Sequence, residues 1–396
     1  MDFWLRGAFF RAAAALVVLL IAQSPVAAAT KGELPIPAAT LALMAARDTS
    51  PSAPVLIRSY KKESEIEVWK QAKSGRFVLL KTFPICRWSG ALGPKTKQGD
   101  RQTPEGFYSV GPKQMNPYSH YYLSFDTGYP NAYDRAHGYT GSDVMVHGIC
   151  SSAGCFAMTD KGIGEIFAIA REALKGGQPA FQFQAFPFRM TAQNMAKYRS
   201  DPNIEFWRQL KEGSDRFEAT GEELVVNVTA GRYAFAPSQD PSNEALASAH
   251  RLQEKARIAA LIAEGSAAVR TVYADGGQNA IFAALLSKGA HLGEVSRPEA
   301  LAFAGVEEVI TPARGRCARP GGCPSLIAKA AVPTQAKPAE DKPPQIILAA
   351  AHVSEIPETD PAALAPTPFC YKLGRPAPVQ SVIAGAMPML PAILND

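Results

Sequence analysis

Two residues eight positions apart, His147 and Cys155, bracket a run rich in small side chains: Gly148, Ser151, Ser152, Ala153 and Gly154. A cysteine attacks a carbonyl carbon as its thiolate, and a nearby imidazole supplies that form by taking the proton. The apolar run Val144-Met145-Val146 delivers His147 to the end of a strand, the small residues turn the chain, and a helical pattern opens near Asp160, five residues past Cys155. Gly154 removes a side chain beside the sulfur, which leaves room for a bulky acyl group and lets backbone N–H groups face a developing oxyanion. Ser151 and Ser152 offer hydroxyl donors to the same turn. The chemistry that fits is acyl transfer through a thioester, with Cys155 as nucleophile, His147 as base and a thiol more reactive at neutral pH than its neighbours.

On these residues alone, other readings stay open. A buried cysteine beside a strand is often only a small hydrophobe. A zinc site would draw on His147, Cys150 and Cys155, but the spacing holds no Cys-x-x-Cys pair and no clear fourth ligand, so no metal is expected. A Cys150 to Cys155 disulfide would close a tight loop. His137, eighteen positions before Cys155, is a rival base. The planar fork of Arg135 suits a substrate carboxylate, against the plainer reading of a solvated arginine or one paired with Asp134. His120 and Tyr121 fit either a cleft wall or an ordinary strand, and Arg189, in its aromatic setting, reads as structural.

Strands must hold these groups. Short runs rich in Val, Ile, Phe and Tyr, punctuated by Gly, Pro, Asn and Asp, predict strands at 55–60, 66–70, 77–82, 106–110, 121–125, 143–147 and 180–186, in a mainly antiparallel sheet. Asp160 is a candidate N-cap for a short helix after the nucleophile, with Ile163, Ile166, Phe167, Ala170 and Leu174 as its apolar stripe and Gly176-Gly177 as its stop. Beyond residue 215 a strand pattern over 224–233 and helical patterns over 242–263 and 280–287 predict an α/β extension to residue 310.

The ends of the chain read differently. Arg6 and Arg11 precede an eleven-residue apolar run, Ala12 to Ala22, and small residues at Ala27, Ala28 and Ala29, which is the pattern of an export signal over residues 1–29. The run is far short of the roughly 20 residues a spanning helix needs, so an exported, periplasmic protein is expected. Fifteen of the 32 prolines follow residue 310, and that Pro/Ala-rich stretch, 311–396, is expected to be a disordered tail with no partner legible in it. A net charge of +5 spread along the chain lacks the basic stripe of a nucleic-acid binder, and no cofactor motif stands out. Of the six cysteines, Cys317 and Cys323 enclose a short loop and could bridge, whereas Cys86, Cys150 and Cys370 receive no partner from the sequence.

The His147-Gly148 pair followed by Ser152-x-Gly154-Cys155 resembles the signature of the YkuD-type L,D-transpeptidase catalytic domain. Gly99-Asp100-Arg101-x-Thr103-Pro104-Glu105-Gly106 resembles the Thr-Pro-x-Gly hairpin upstream of it. Asn116-Pro117, Gly128-Tyr129-Pro130-Asn131, Asp134-Arg135, Ala157-Met158-Thr159-Asp160 and Phe186-Pro187-Phe188-Arg189-Met190 are similar to the YafK-like branch. The resemblance spans about residues 53–215. It implies an antiparallel β catalytic domain, Cys155 as nucleophile, His147 as base, and Gly154 and Ser152 in the acyl-binding turn. It also implies peptidoglycan stem peptides as substrates. Two departures stand out: Ala153 and the run Phe156-Ala157-Met158 replace a second histidine and an arginine common in that family, and the His-to-Cys spacing is shorter. The group that orients the imidazole is not evident. The shorter loop tilts the expectation towards water over an amine as acyl acceptor, with cleavage of stem-peptide bonds that include the link to a wall-linked lipoprotein. A catalytically silent wall-binding scaffold and a cysteine peptidase of exported proteins are the competing classes.

Overall fold

The computed structural model describes residues 30–318; the expected signal, residues 1–29, and most of the expected tail, from residue 319 onward, lie outside the described residues. Helix α1 (Ala38–Ala46) precedes β1 (Val55–Tyr60), β2 (Glu65–Gln71), β3 (Phe77–Pro84), β4 (Arg87–Trp88) and β5 (Gly106–Val110). Next come β6 (Met115–Asn116), β7 (Ser124–Asp126), α2 (Ala132–Ala136), β8 (Met145–His147), β9 (Phe156–Ala157), α3 (Asp160–Lys175) and β10 (Phe181–Phe186). The remainder holds α4 (Ala192–Lys197), α5 (Ile204–Thr220), β11 (Val226–Thr229), β12 (Arg232–Phe235), α6 (Pro241–Ala263), β13 (Ala268–Tyr273), α7 (Ala280–Ser287) and β14 (Ala304–Thr311).

Two five-stranded sheets carry the site, in the orders β3-β2-β1-β10-β5 and β4-β9-β8-β7-β6. Every pairing in them is antiparallel except β1 with β10 and β8 with β9. The alternation of β10 explains how they stack. Phe181, Phe183 and Ala185 face a core shared with Val146, Phe156 and Ile166, and the Phe183 ring meets those of Phe156 and Phe125 edge-on at 5.2 and 6.1 Å. The opposite face is buried too: Phe186 packs with Phe107, Trp207 and Phe217 under α5. Burial on both sides obliges the glutamines of β10 to pair internally, Gln184 Nε2 donating to Gln182 Oε1 at 2.6 Å and Gln182 Nε2 to Leu224 O at 3.0 Å.

The cap of helix α3 falls one residue earlier than expected. Thr159 is the N-cap, accepting from Gly162 N–H, and Asp160 is the first helical residue. The Asp160 carboxylate instead accepts from Ile149 N–H at 2.9 Å, inside the loop that precedes Cys155. The strand pattern of 224–233 resolves into the hairpin β11–β12. The β13–β14 ribbon was not anticipated, and past residue 311 Arg314 N–H donates to Gly265 O at 2.8 Å before a 3-10 turn at Gly315–Ala318. Among the described residues no helix is long and apolar enough to cross a membrane.

Candidate active site

Strands β8 and β9 are parallel neighbours in the register Val146↔Phe156 and His147↔Ala157. Cys155, the residue before β9, shares the pleat parity of Ala157 and therefore stands on the same face as His147, beside Met145. Met145 N–H donates to its sulfur at 3.4 Å, and the thiol reaches Asp143 O at 3.6 Å. Only residues 148–155 connect the two strands, whereas a parallel connection usually takes a dozen or more. Such a short path forces positive φ at Ile149 (59°) and Gly154 (132°), the second being a conformation that glycine alone enters cheaply.

A disulfide between Cys86 and Cys150 staples this loop to the start of β4. Cys150 is therefore unavailable both to zinc and to Cys155, so neither alternative reading of that cysteine stands. Among the described residues Cys155 is the free cysteine, and none form a cluster placed to hold a metal ion.

His147 is 3% exposed. Its Nδ1 lies 2.5 Å from Gly148 O, and a carbonyl can only accept, so Nδ1 carries the proton and Nε2 presents its lone pair. The missing orienting group is thus a backbone carbonyl. The Tyr121 ring lies 4.7 Å from the imidazole, which puts Tyr121 at the site. Burial pulls the His147 pKa below its ordinary 6.5, against the opposing pull of the Gly148 bond. Burial pushes the Cys155 thiol up to about 11; Asp126 and Asp143 add to the rise, while the Met145 N–H and Lys95 oppose it. Both shifts run towards a thiol and a neutral imidazole at rest, and against a preformed thiolate.

Ser152 also differs from expectation. Its hydroxyl is buried, accepts from the N–H groups of Gly154 and Cys155 at 3.2 and 3.1 Å, and donates to Cys155 O at 2.8 Å. It braces the nucleophile turn from within and is not turned outwards as an oxyanion donor. Ser151 bonds through its own N–H to Ile149 O at 2.6 Å and is partly exposed beside it. The Thr-Pro-x-Gly segment supports the same turn: Thr103 Oγ1 lies 3.3 Å from Cys155 O and accepts from Ser89 N–H at 3.1 Å. Glu105 anchors that segment through Lys61 at 2.9 Å, Gly93 N–H at 2.7 Å and Trp207 Nε1 at 2.8 Å.

The remaining candidates lie apart. Arg135 donates to Pro130 O from the exposed surface of α2, and none of its described contacts reaches Cys155 or His147. His137 turns its Nδ1 to Tyr133 O at 2.9 Å and packs at a tilt against the Tyr133 ring at 4.1 Å. Arg189 is structural, bonded to Glu65 and Glu67 over the Tyr60 ring. The Gly148 carbonyl and the Cys86–Cys150 staple escaped the sequence reading, since a backbone acceptor leaves no residue-type signal and the staple joins positions 64 apart.

Residues 52–177 match the family described as the YkuD L,D-transpeptidase catalytic domain. Over 205 residues the chain is 45% identical to the protein named "Putative L,D-transpeptidase YafK" of Escherichia coli strain K12, covering 51% of this chain and 82% of that one. The protein of the same name from Escherichia coli O157:H7 matches to the same extent. Of solved structures, the helical cell shape determining protein Pgp2 from Campylobacter jejuni aligns over 59% of this chain and 80% of its own. Its TM-score is 0.28 at 12% identity, a likeness too slight to carry functional weight.

Proposed function

The chain belongs to the YkuD L,D-transpeptidase family, and on that footing we propose that it processes peptidoglycan stem peptides in the periplasm through a thioester on Cys155. The observation that carries the reading is the register of β8 and β9, which sets Cys155, one residue before β9, on the face of His147, with the free imidazole nitrogen fixed as Nε2 by the bond from Nδ1 to Gly148 O. With burial pushing the thiol up and the imidazole down, the proton moves with the attack. As Sγ bonds to the carbonyl carbon of the stem diamino acid, Nε2 takes the thiol proton; as the C–N bond breaks, the imidazolium gives that proton to the departing amine. The thioester is then attacked by water or by an amine, whose proton passes through His147 to the departing sulfur. Gly154 leaves space for the acyl chain, and Ser152 and Ser151 shape the turn around it. Arg135, on α2, is left as a more distant carboxylate contact for a long substrate.

Water is the acceptor favoured here. The seven-residue loop between base and nucleophile is short and braced inwards, so it leaves the thioester open on the acceptor side. Cleavage would then extend to the amide that joins a wall-linked lipoprotein to the diamino acid. An oriented amine can act at an effective concentration of about 10⁵ M or more, so product analysis decides the matter. Wall tetrapeptide and a lysine-linked wall peptide, each with and without a second stem peptide, should yield mainly free acid by mass spectrometry. Predominant cross-linked dimer would reverse the choice of acceptor, and absence of any thioester on Cys155 would overturn the function itself.

A further inference from the structure

Two residues beyond the segment matched by the catalytic-domain family reach back to the nucleophile turn. The Ser296 hydroxyl accepts from Ser152 N–H at 2.9 Å and donates to Ser152 O at 3.1 Å, across 144 positions of sequence. Arg101 Nη2 donates to the same carbonyl at 3.3 Å and to Asp275 Oδ2 at 2.8 Å. Asp275 is 3% exposed, accepts from Gly90 N–H at 3.0 Å, and draws in Arg297 at 3.3 Å and Arg87 at 3.6 Å. Arg87 closes the frame, giving Nε to Ser296 O at 2.9 Å and Nη2 to Asp275 O at 2.6 Å. The backbone between these residues lies directly on β4. Trp88 and Gly277 form a β-bridge, and a Cβ at Gly276 would fall 1.9 Å from Trp88 O.

The consequence follows from what Ser152 does. Its hydroxyl fixes both N–H groups of the Gly154–Cys155 turn and the Cys155 carbonyl, so whatever fixes Ser152 fixes the direction of the sulfur. Ser296 holds its backbone by both polar groups, and Asp275 holds it through Arg101. We infer that Asp275 and Ser296 are positioning residues of the acyl-transfer site, setting through Ser152 the angle at which Cys155 meets its substrate. The inference rests on Cys155 being the nucleophile. It makes the segment around 275–297 part of the reacting unit and not an appendage to it.

Ser296 gives the cleaner test, because Ser296→Ala removes two hydrogen bonds and no charge, while Ser296→Thr restores the hydroxyl. In the full chain, Ser296→Ala should slow acyl-enzyme formation from wall tetrapeptide by about tenfold or more with KM within about twofold, as expected for misdirection of a bound nucleophile. The rate of Cys155 alkylation by iodoacetamide should shift in the same variant, and Ser296→Thr should recover most of both. Asp275→Asn should act in the same sense. Acylation and alkylation rates for Ser296→Ala within about twofold of the parent overturn the inference, as does a loss that tracks a fall in melting temperature and is not recovered by threonine. If the parent chain is alkylated at Cys155 yet acylated by no wall peptide, the proposed function fails while the alkylation comparison still judges the positioning role.

Discussion

His147 donates from Nδ1 to the carbonyl of the very next residue, Gly148, at 2.5 Å, so the base is oriented by its own backbone, with the Tyr121 ring against it at 4.7 Å. Removal of the imidazole should lower acyl-enzyme formation by at least about a hundredfold, and Cys155→Ala should abolish it. Gly148→Ala tests the orientation itself. Its added methyl would meet Asp160 Oδ1 at 2.6 Å and Tyr121 O at 2.9 Å, which forces a shift in the segment that carries the carbonyl or in the groups packed on it. A Gly148→Ala enzyme with undiminished single-turnover rate would show that the Gly148 bond is dispensable.

The pH behaviour follows from two shifts of opposite direction. Burial raises the Cys155 thiol to about 11 and lowers His147 below 6.5. The neutral thiol favours the folded state below its ordinary pKa of 9.0, and that contribution disappears as pH climbs through about 11. Neutral His147 stabilises the fold above 6.5, and that contribution is lost as pH falls through its depressed value. Iodoacetamide alkylation of Cys155, followed by peptide mapping, should therefore keep rising with pH beyond neutrality. A plateau near pH 7 would reveal a preformed thiolate–imidazolium pair instead.

The Cys86–Cys150 bridge spans 64 positions, and closing a loop of that size removes enough freedom from the unfolded chain to stabilise the fold by roughly 4 kcal/mol. Cys86→Ser with Cys150→Ser should lower the urea midpoint accordingly. An unchanged midpoint would mean that the packing of Phe282 around that site suffices without the bond.

Lys61 and Glu105 form an ion pair with both side chains fully buried. Glu105→Gln leaves the lysine without the carboxylate charge beside it and turns an amide N–H₂ against one of the two donors, Gly93 N–H or Trp207 Nε1–H. A destabilisation of about 3–5 kcal/mol is expected, measured by denaturant unfolding. A loss below about 1 kcal/mol would show that water or a neighbouring group takes over the charge.

How much of this the sequence carried depends on the distance over which each feature is encoded. Strand β5 and helix α7 match their expected bounds because alternation and apolar content act within a few residues. Cys155 and His147 stood out through residue type and spacing. Their electrostatics did not, because pKa follows burial, and burial is set by residues such as Tyr121 that arrive from other parts of the chain. Ser152 was correctly placed in the turn but given an outward hydroxyl, since nothing local tells a donor that faces substrate from one that caps its own loop. Ser296 and Asp275 were invisible for a simpler reason: an isolated serine or aspartate in a loop has no signature until the chain has folded over it.

The position of the disulfide also poses a problem for oxidative folding. Cys150 and Cys155 are five positions apart, so Cys86 faces two thiols at almost the same chain distance, 64 positions for the native partner and 155 − 86 = 69 for the wrong one. The entropy of those two closures differs by less than about 0.1 kcal/mol, which cannot choose between them. What distinguishes Cys150 is its pocket, closed by Phe282, Leu292 and Val295, all of them synthesised more than a hundred residues later. Docking of that late segment therefore favours the native pair. A chain oxidised before that moment can spend its nucleophile on Cys86 and become a mispaired, inert product.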